Sequence, residues 1–247
     1  AIMKFTIINN MFRRISYTPY EDVIKENLGE ISKDALIKEI HIVGGQNTEK
    51  KTVTSLYFGG GTPALAATRI KEIVDALNEH FIITDGIGLE LHPDNVNVET
   101  LQILKDAGVT KISIGIQSFC DKYQKILGRK KIDTSAMMSA LAAVPFETVS
   151  MDFIFALPGQ TYNDLKSDID TAFSLGANHI AIYPFIDFTF TKSPVVAMPK
   201  KEKRQLLDAI TQYCLSKGYL RDSIWTFSSK PNAKYSSMTR DNFLGFG

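Results

Sequence analysis

The residues best suited to chemistry lie at the ends of apolar runs. Tyr57-Phe58-Gly59-Gly60-Gly61-Thr62-Pro63 closes one such run and precedes a helix-patterned segment over residues 68–80. Three consecutive glycines cost conformational entropy, and they let a backbone turn sharply and come within contact of a ligand. A tight strand-to-helix turn needs only one or two. Three glycines, a hydroxyl and a proline suit a cradle for a small polar group. Further along, Glu90 sits in Leu89-Glu90-Leu91-His92-Pro93, Gln117 in Gly115-Ile116-Gln117-Ser118-Phe119, and Asp152 in Ser150-Met151-Asp152-Phe153. A carboxylate inside an apolar run is expensive unless it is paired or hydrogen-bonded. Taken singly, each reads as a buried ion pair or a cap to a loop amide. Taken together, Glu90, Gln117 and Asp152 on successive strands beside a glycine cradle read as contacts to one ligand. Carboxylates suit an ammonium or ribose hydroxyls, and Gln offers both a donor and an acceptor. The ligand so described has an amino acid end and a ribose.

Other polar residues are less specific. Arg129, in Leu127-Gly128-Arg129-Lys130-Lys131, either pairs with a ligand carboxylate or belongs to an exposed basic cluster. His92 reads as a loop polar group and His179 as a semi-buried strand-edge residue. Cys120 reads as a packed thiol at a helix start, and the pair Met137-Met138 as core.

Such residues need strands to carry them, and the pattern supplies strands. Residues 3–9 read as a first strand and residues 21–43 as helical with a break at Gly29. Strands then follow at 53–58, 87–91, 111–116, 149–155 and 179–183. Helices alternate with them at 68–80, 98–107, 121–143 (one helix or a pair), 162–175 and 200–217, with glycine stops at Gly108, Gly176 and Gly218. A long loop with Pro184, Pro194 and Pro199 follows the strand at 179–183, and residues 219–227 suggest a last strand. Strands alternating with helices imply βα units on a parallel sheet, with ligands at the carboxyl ends of the strands. The strands read as nearly continuous apolar runs covered by helices. Five or six units give an open partial barrel or a doubly wound sheet rather than a complete eight-fold barrel.

Composition sets the limits. A 247-residue chain with 44% hydrophobic and 22% charged residues is ordinary for a globular protein. A net charge of +1 gives no reason to expect nucleic acid or a membrane surface as partner. No apolar run or leader pattern suggests a bilayer span or signal peptide. Two cysteines, Cys120 and Cys214, form neither a disulfide framework nor a metal motif, so a cytoplasmic setting is expected.

Five motifs occur in order: the glycine motif at 57–63, Ser113-Ile114-Gly115-Ile116-Gln117-Ser118-Phe119, Leu127-Gly128-Arg129, the segment 152–161 ending Leu157-Pro158-Gly159-Gln160-Thr161, and Lys234-Tyr235-Ser236-Ser237-Met238-Thr239-Arg240. In these the chain resembles the radical S-adenosylmethionine (SAM) enzymes of the oxygen-independent coproporphyrinogen III oxidase type, with their haem-chaperone and haem-utilisation relatives. The resemblance runs from about residue 53 to the C-terminus. It implies an α/β fold, a partial (β/α)6 TIM-like barrel, forming a single core domain over 1–247. Residues 1–52 would be a strand remnant, loop and helix, and 53–247 the βα repeats. It implies that Gly60, Gly61 and Thr62 hold the methionine amino group and that Glu90, Gln117, Arg129 and Asp152 complete the SAM contacts. It also implies a 4Fe–4S cluster that cleaves SAM to a 5′-deoxyadenosyl radical, an electron donor, and a tetrapyrrole or haem as substrate. The chain departs from the family at one point. The Cys-x3-Cys-x2-Cys motif that holds the cluster is expected ahead of the glycine motif, and residues 1–58 contain no cysteine. Two accounts follow: a fragment trimmed at both ends, inactive in this form, or a cluster-free relative that binds haem or SAM.

Overall fold

A computed structural model describes residues 4–5, 7–8, 29–60, 62–185, 198–231 and 243–246. Gly61, the segment 9–28, the proline loop at 186–197 and the motif at 234–240 lie outside the described residues. The chain divides into two compact units, Ala1–Ile112 with Ser236–Gly247, and Ser113–Tyr235.

In the first unit, β1 (Lys4–Phe5) and β2 (Ile7–Ile8) precede helix α1 (Gly29–Gly44). β3 (Lys51–Val53), β4 (Leu56–Gly59), α2 (Ala67–His80), β5 (Phe81–Ile83), β6 (Ile87–Leu91) and α3 (Val98–Asp106) follow. β4 is the central strand, parallel to β2 through Ile7↔Phe58 and to β6 through Leu56↔Ile87 and Phe58↔Leu89. β3 and β5 form a separate parallel pair, and β1 pairs with β12 (Phe243–Leu244). The expected single strand over 53–58 is therefore two. The chain changes partners at Thr54 and Ser55, between a ladder to β5 and a ladder to β6. Helix α2 forms because Ile70, Ile73, Val74 and Leu77 recur at helical spacing, and all four are buried. At roughly 1.5–3 kcal/mol for each large apolar side chain, that face outweighs the helix's intrinsic propensity. Asn97 starts α3 by accepting from the Thr100 amide at 2.9 Å.

β7 (Lys111–Gln117) begins in the first unit and ends in the second. The second unit continues with α4 (Asp121–Ile126), α5 (Thr134–Ala143), β8 (Thr148–Phe155), α6 (Tyr162–Ser174), β9 (His179–Pro184), α7 (Lys200–Ser216), β10 (Leu220–Arg221) and β11 (Thr226–Ser228). β8 and β9 are parallel, in register from Ser150↔His179 to Phe155↔Pro184. Past β9 the sheet turns antiparallel: β11 pairs with β9 and β10 with β11. The last strand expected over 219–227 is thus a short hairpin. Its polar turn is closed by the Asp222 amide to Thr226 O at 3.0 Å and the Trp225 amide to Ser223 Oγ at 3.1 Å. A capping box of Thr161 and Asp164 opens α6. The expected helix ends at Gly108, Gly176 and Gly218 are observed. Met137 is buried as expected, whereas Met138 is exposed. No helix among the described residues is long and apolar enough to cross a membrane.

Candidate functional site

Two polar clusters stand on the strands, one in each unit. The first is built on the turn after β4. Tyr57 donates its hydroxyl to Glu90 Oε1 at 2.5 Å, and the Gly60 amide donates to Glu90 Oε2 at 3.1 Å. One carboxylate from β6 thus clamps both the strand and the turn of β4. Gly59 lies beneath this clamp. A Cβ there would stand 2.8 Å from Tyr57 Cε1 and 3.3 Å from Glu90 Oε1. Gly60 then adopts φ 108°, which disfavours any side chain and a β-branched one most. Thr62 follows at φ 65°, with its amide on Gly60 O at 3.0 Å. A β-branched residue in the left-handed region is a genuine outlier and costs about 1–3 kcal/mol. Its hydroxyl does not cap the 3-10 turn that begins at Pro63.

The second cluster is built on β7 and β8. Residues two apart on a strand share a face, which sets Ser113, Gly115 and Gln117 of β7 against the buried set Ile112, Ile114 and Ile116. On β8 it sets Ser150 and Asp152 against Val149, Met151, Phe153 and Phe155. Asp152 Oδ2 accepts from Ser113 Oγ at 2.7 Å and Oδ1 from Ser150 Oγ at 3.2 Å. His179 Nδ1 lies 2.9 Å from Ser150 Oγ. The serine has one proton and gives it to Asp152, so the imidazole is the donor, protonated at Nδ1. Burial pushes the His179 pKa down to about 4, against the pull of the Asp222 charge, so the ring is neutral near pH 7. The sequence places His179 as a semi-buried edge residue; it is fully buried between β8 and β11, with 1% of its surface exposed.

Arg129 reaches β7 because of the glycine before it. Helix α4 ends in a Schellman motif, with Gly128 at φ 67°, its amide on Lys125 O and the Arg129 amide on Gln124 O at 2.8 Å. The reversed chain sends the guanidinium back to β7, where Nη1 donates to Gly115 O at 2.6 Å. Gln117, the last residue of β7, sits at φ 69°, and Ala156, directly after β8, at φ 62°. With Thr62 these are the described non-glycine residues of positive φ, and each follows or ends a strand. Strain gathered at strand ends points to a site there.

Behind the second cluster stand two residues that the sequence reading passed over. Gln124, 2% exposed, donates its side-chain amide to Ile116 O at 2.9 Å and to Ser118 O. Asp168, 2% exposed on α6, accepts from Ser118 Oγ and from the Phe119 amide, each at 2.7 Å. Both fix the loop that leaves Gln117. The signal for Asp168 is an acid set among Leu165, Ile169 and Ala172, the buried face of its helix. Tyr57 and Ser113 were equally legible, as polar residues two positions from Gly59 and Gly115.

Burial raises the Asp168 pKa from 3.8 to about 6, although its two hydrogen bonds oppose the shift. The folded chain therefore holds this proton more tightly than the unfolded chain does. The stability it contributes is fully present below pH 3.8 and is lost as pH rises through about 6. Asp168→Asn removes the titration. Between pH 4 and 7 the wild type should lose roughly 2 kcal/mol relative to this variant. Urea unfolding of both at several pH values measures it, and a pH-independent difference would refute the assignment.

Of the residues proposed from sequence, Glu90 and Gly60 are bonded to each other, with Thr62 two residues on. In the second unit Gln117 ends β7, Arg129 is bonded to Gly115 O of β7, and Asp152 is bonded to Ser113 nearer the start of β7. His92 is a loop cap, its Nδ1 accepting from the Asp94 amide at 3.2 Å.

Residues 8–172 match the family described as the radical SAM superfamily. The chain is 30% identical over 223 residues to the heme chaperone HemW of Bacillus subtilis (strain 168), covering 81% of this chain and 58% of that protein. It is 25% identical over 202 residues to the oxygen-independent coproporphyrinogen III oxidase of Pseudomonas aeruginosa, covering 74% of this chain and 43% of that protein. The solved structure of coproporphyrinogen III oxidase (HemN) from Escherichia coli, a radical SAM enzyme, superposes with a TM-score of 0.79 at 18% identity, over 100% of this chain and 63% of that one. That likeness is one of fold, and the fold is the expected partial TIM-like α/β class. The chain spans about three-fifths of the length of HemW from B. subtilis. By its matched family over two thirds of its residues, the chain belongs to the radical SAM superfamily.

Proposed function

We propose that the chain binds SAM, and that its contacts are Gly60, Gly61, Thr62, Glu90, Gln117, Arg129 and Asp152. Gly60, Gly61 and Thr62 offer a backbone that a ligand can approach closely. Glu90 keeps lone pairs beyond the two it gives to Tyr57 and Gly60, and these suit an ammonium or ribose hydroxyls. In the second unit Gln117, Arg129 and Asp152 supply, in turn, an amide, a guanidinium and a carboxylate. The observation that carries this reading is the strained turn itself: Gly60 and Thr62, both left-handed, with the Gly60 amide tied to Glu90.

The 4Fe–4S cluster implied by the resemblance needs thiolate ligands, and the cysteines of this chain do not fit it. Cys214 is fully buried in α7, its thiol pushed up to about 12 by burial. Cys120 precedes α4 with no second thiol nearby in sequence. No step through a cluster is assigned to these residues; their part is to capture and orient SAM. In this reading the chain is the core of a coproporphyrinogen III oxidase-like radical SAM oxidoreductase, serving tetrapyrrole or haem chemistry with an outside electron donor. The second reading is a haem- or SAM-binding module without radical chemistry. Relatives named heme chaperone favour it.

Calorimetry with SAM, ATP and haem tests these readings. Binding of SAM but not ATP supports the proposal; absence of SAM binding by the folded chain overturns it; haem binding without SAM selects the second reading. Gly60→Val should weaken SAM by about 1–3 kcal/mol, because valine resists φ 108° and fills the approach. Unchanged affinity in a folded Gly60→Val chain would rule out the cradle.

A further inference from the structure

A different group of residues lies in the first unit, at the C-terminal ends of α1 and α2, away from the strand ends described above. His41 is in the last turn of α1, and Glu79 and His80 are the final residues of α2. His41 Nδ1 is 3.0 Å from His80 Nε2 and 3.8 Å from Glu79 Oε2. Among the described residues, this is the group of three His, Cys, Asp or Glu whose ligating atoms all lie within 4.8 Å of one another. The side chains of His41 and Glu79 are 43% and 64% exposed, so an ion reaches them from solvent.

The helices are built to meet at this point. Gly44 ends α1, and a Cβ there would stand 2.3 Å from His80 Cγ and 2.7 Å from its Cδ2. Only a residue without a side chain lets the His80 ring nest against α1. The two imidazoles then meet edge to face, with centroids 5.3 Å apart and planes at 75°. The end of α2 already draws one cation, with Lys50 Nζ 2.7 Å from Asn78 O.

We propose that His41, His80 and Glu79 form a divalent transition-metal site, suited to Zn2+, that clamps α1 to α2. Two imidazoles and a carboxylate with a fourth position open to water is a known zinc donor set. Two zinc–nitrogen bonds of about 2.0–2.1 Å at a tetrahedral angle set their nitrogens about 3.3 Å apart. The observed 3.0 Å must open by only a few tenths of an ångström, within the freedom of the exposed His41 ring. Carbonyl- and carboxylate-loving cations such as Mg2+ and Ca2+ are poorly served by two nitrogens.

Calorimetric titration of the metal-free 247-residue chain with ZnCl2 at neutral pH should give one Zn2+ per chain. Thermal melting with Zn2+ should show a raised Tm, since the ion binds only the assembled helix pair. His41→Ala and His80→Ala should each weaken uptake by at least about 100-fold and abolish the Tm shift. Gly44→Ala, which keeps all three ligands and displaces His80, should weaken uptake as well. Cys120→Ser should leave it unchanged, which excludes binding through the accessible thiol. His41 is exposed, so its variant keeps the fold even if the His80 variant does not, and circular dichroism checks both. No Zn2+ uptake by the wild type, or uptake that survives His41→Ala in a folded chain, would overturn the site.

Discussion

Replacing Glu90 with alanine is expected to cost about 3–4 kcal/mol of SAM affinity, several hundred-fold in Kd, while the chain stays folded. The size follows from how much converges on one carboxylate. Both oxygens are engaged, one by the Tyr57 hydroxyl and one by the Gly60 amide. Alanine leaves these two donors without their acceptor and removes the charge that faces a ligand ammonium. The turn then loses the contact that sets Gly60 at φ 108°. Glu90→Gln separates these effects. Glutamine keeps the volume and one acceptor oxygen for the Gly60 amide, and the Tyr57 hydroxyl can turn to accept from its amide. Its loss should be smaller, about 1–2 kcal/mol, and should report the charge alone. Calorimetry with SAM, alongside thermal melts, distinguishes ligand contact from support. A folded Glu90→Ala chain that binds SAM with the wild-type Kd would remove Glu90 from the site.

Much of this arrangement was legible before any coordinates. The order of strands and helices from β4 to α7 follows from apolar spacing and from glycine stops, because each element buries a continuous face and ends where a left-handed residue is needed. What escaped depends on contacts remote in sequence. Thr54 and Ser55 carry no local mark of the change of partner between β3 and β4. The three-residue β5 follows α2 without a loop, so no turn residue marks its start. The antiparallel hairpin of β10 and β11 is too short for its alternation to stand out. At the site, Glu90, Gln117 and Asp152 were found as polar breaks in apolar runs. Reading β7 and β8 as nearly continuous apolar strands hid their period of two. Ser113, Gly115 and Gln117 alternate with three isoleucines, and Ser150 and Asp152 alternate with Val149, Met151 and Phe153. That alternation marks a strand with one packed face and one polar face, and it carries the serines that hold Asp152. Asp168 and Gln124 were hidden for a different reason. Each sits on a helix and acts on a loop, and no spacing rule within one element reveals such a bond.

Asp152→Ala is expected to cost about 3 kcal/mol of SAM affinity, with a smaller effect on folding. The argument rests on the chain of hydrogen bonds that ends on this carboxylate. His179, neutral and protonated at Nδ1, orients Ser150; Ser150 and Ser113 then take one carboxylate oxygen each. Two neutral donors fix the direction of this carboxylate, and in the proposed reading it receives ligand hydroxyls or an ammonium. After truncation both serines can rotate toward other acceptors, which keeps the folding cost near that of two lost hydrogen bonds. Ser113→Ala should leave the charge in place and loosen its aim, weakening SAM by only about 1 kcal/mol. Binding isotherms for the two variants, read with their urea unfolding curves, rank direct contact against positioning. If Asp152→Ala unfolds the chain readily and its folded fraction binds SAM normally, the carboxylate is a strut of the sheet and the ligand is held by other groups.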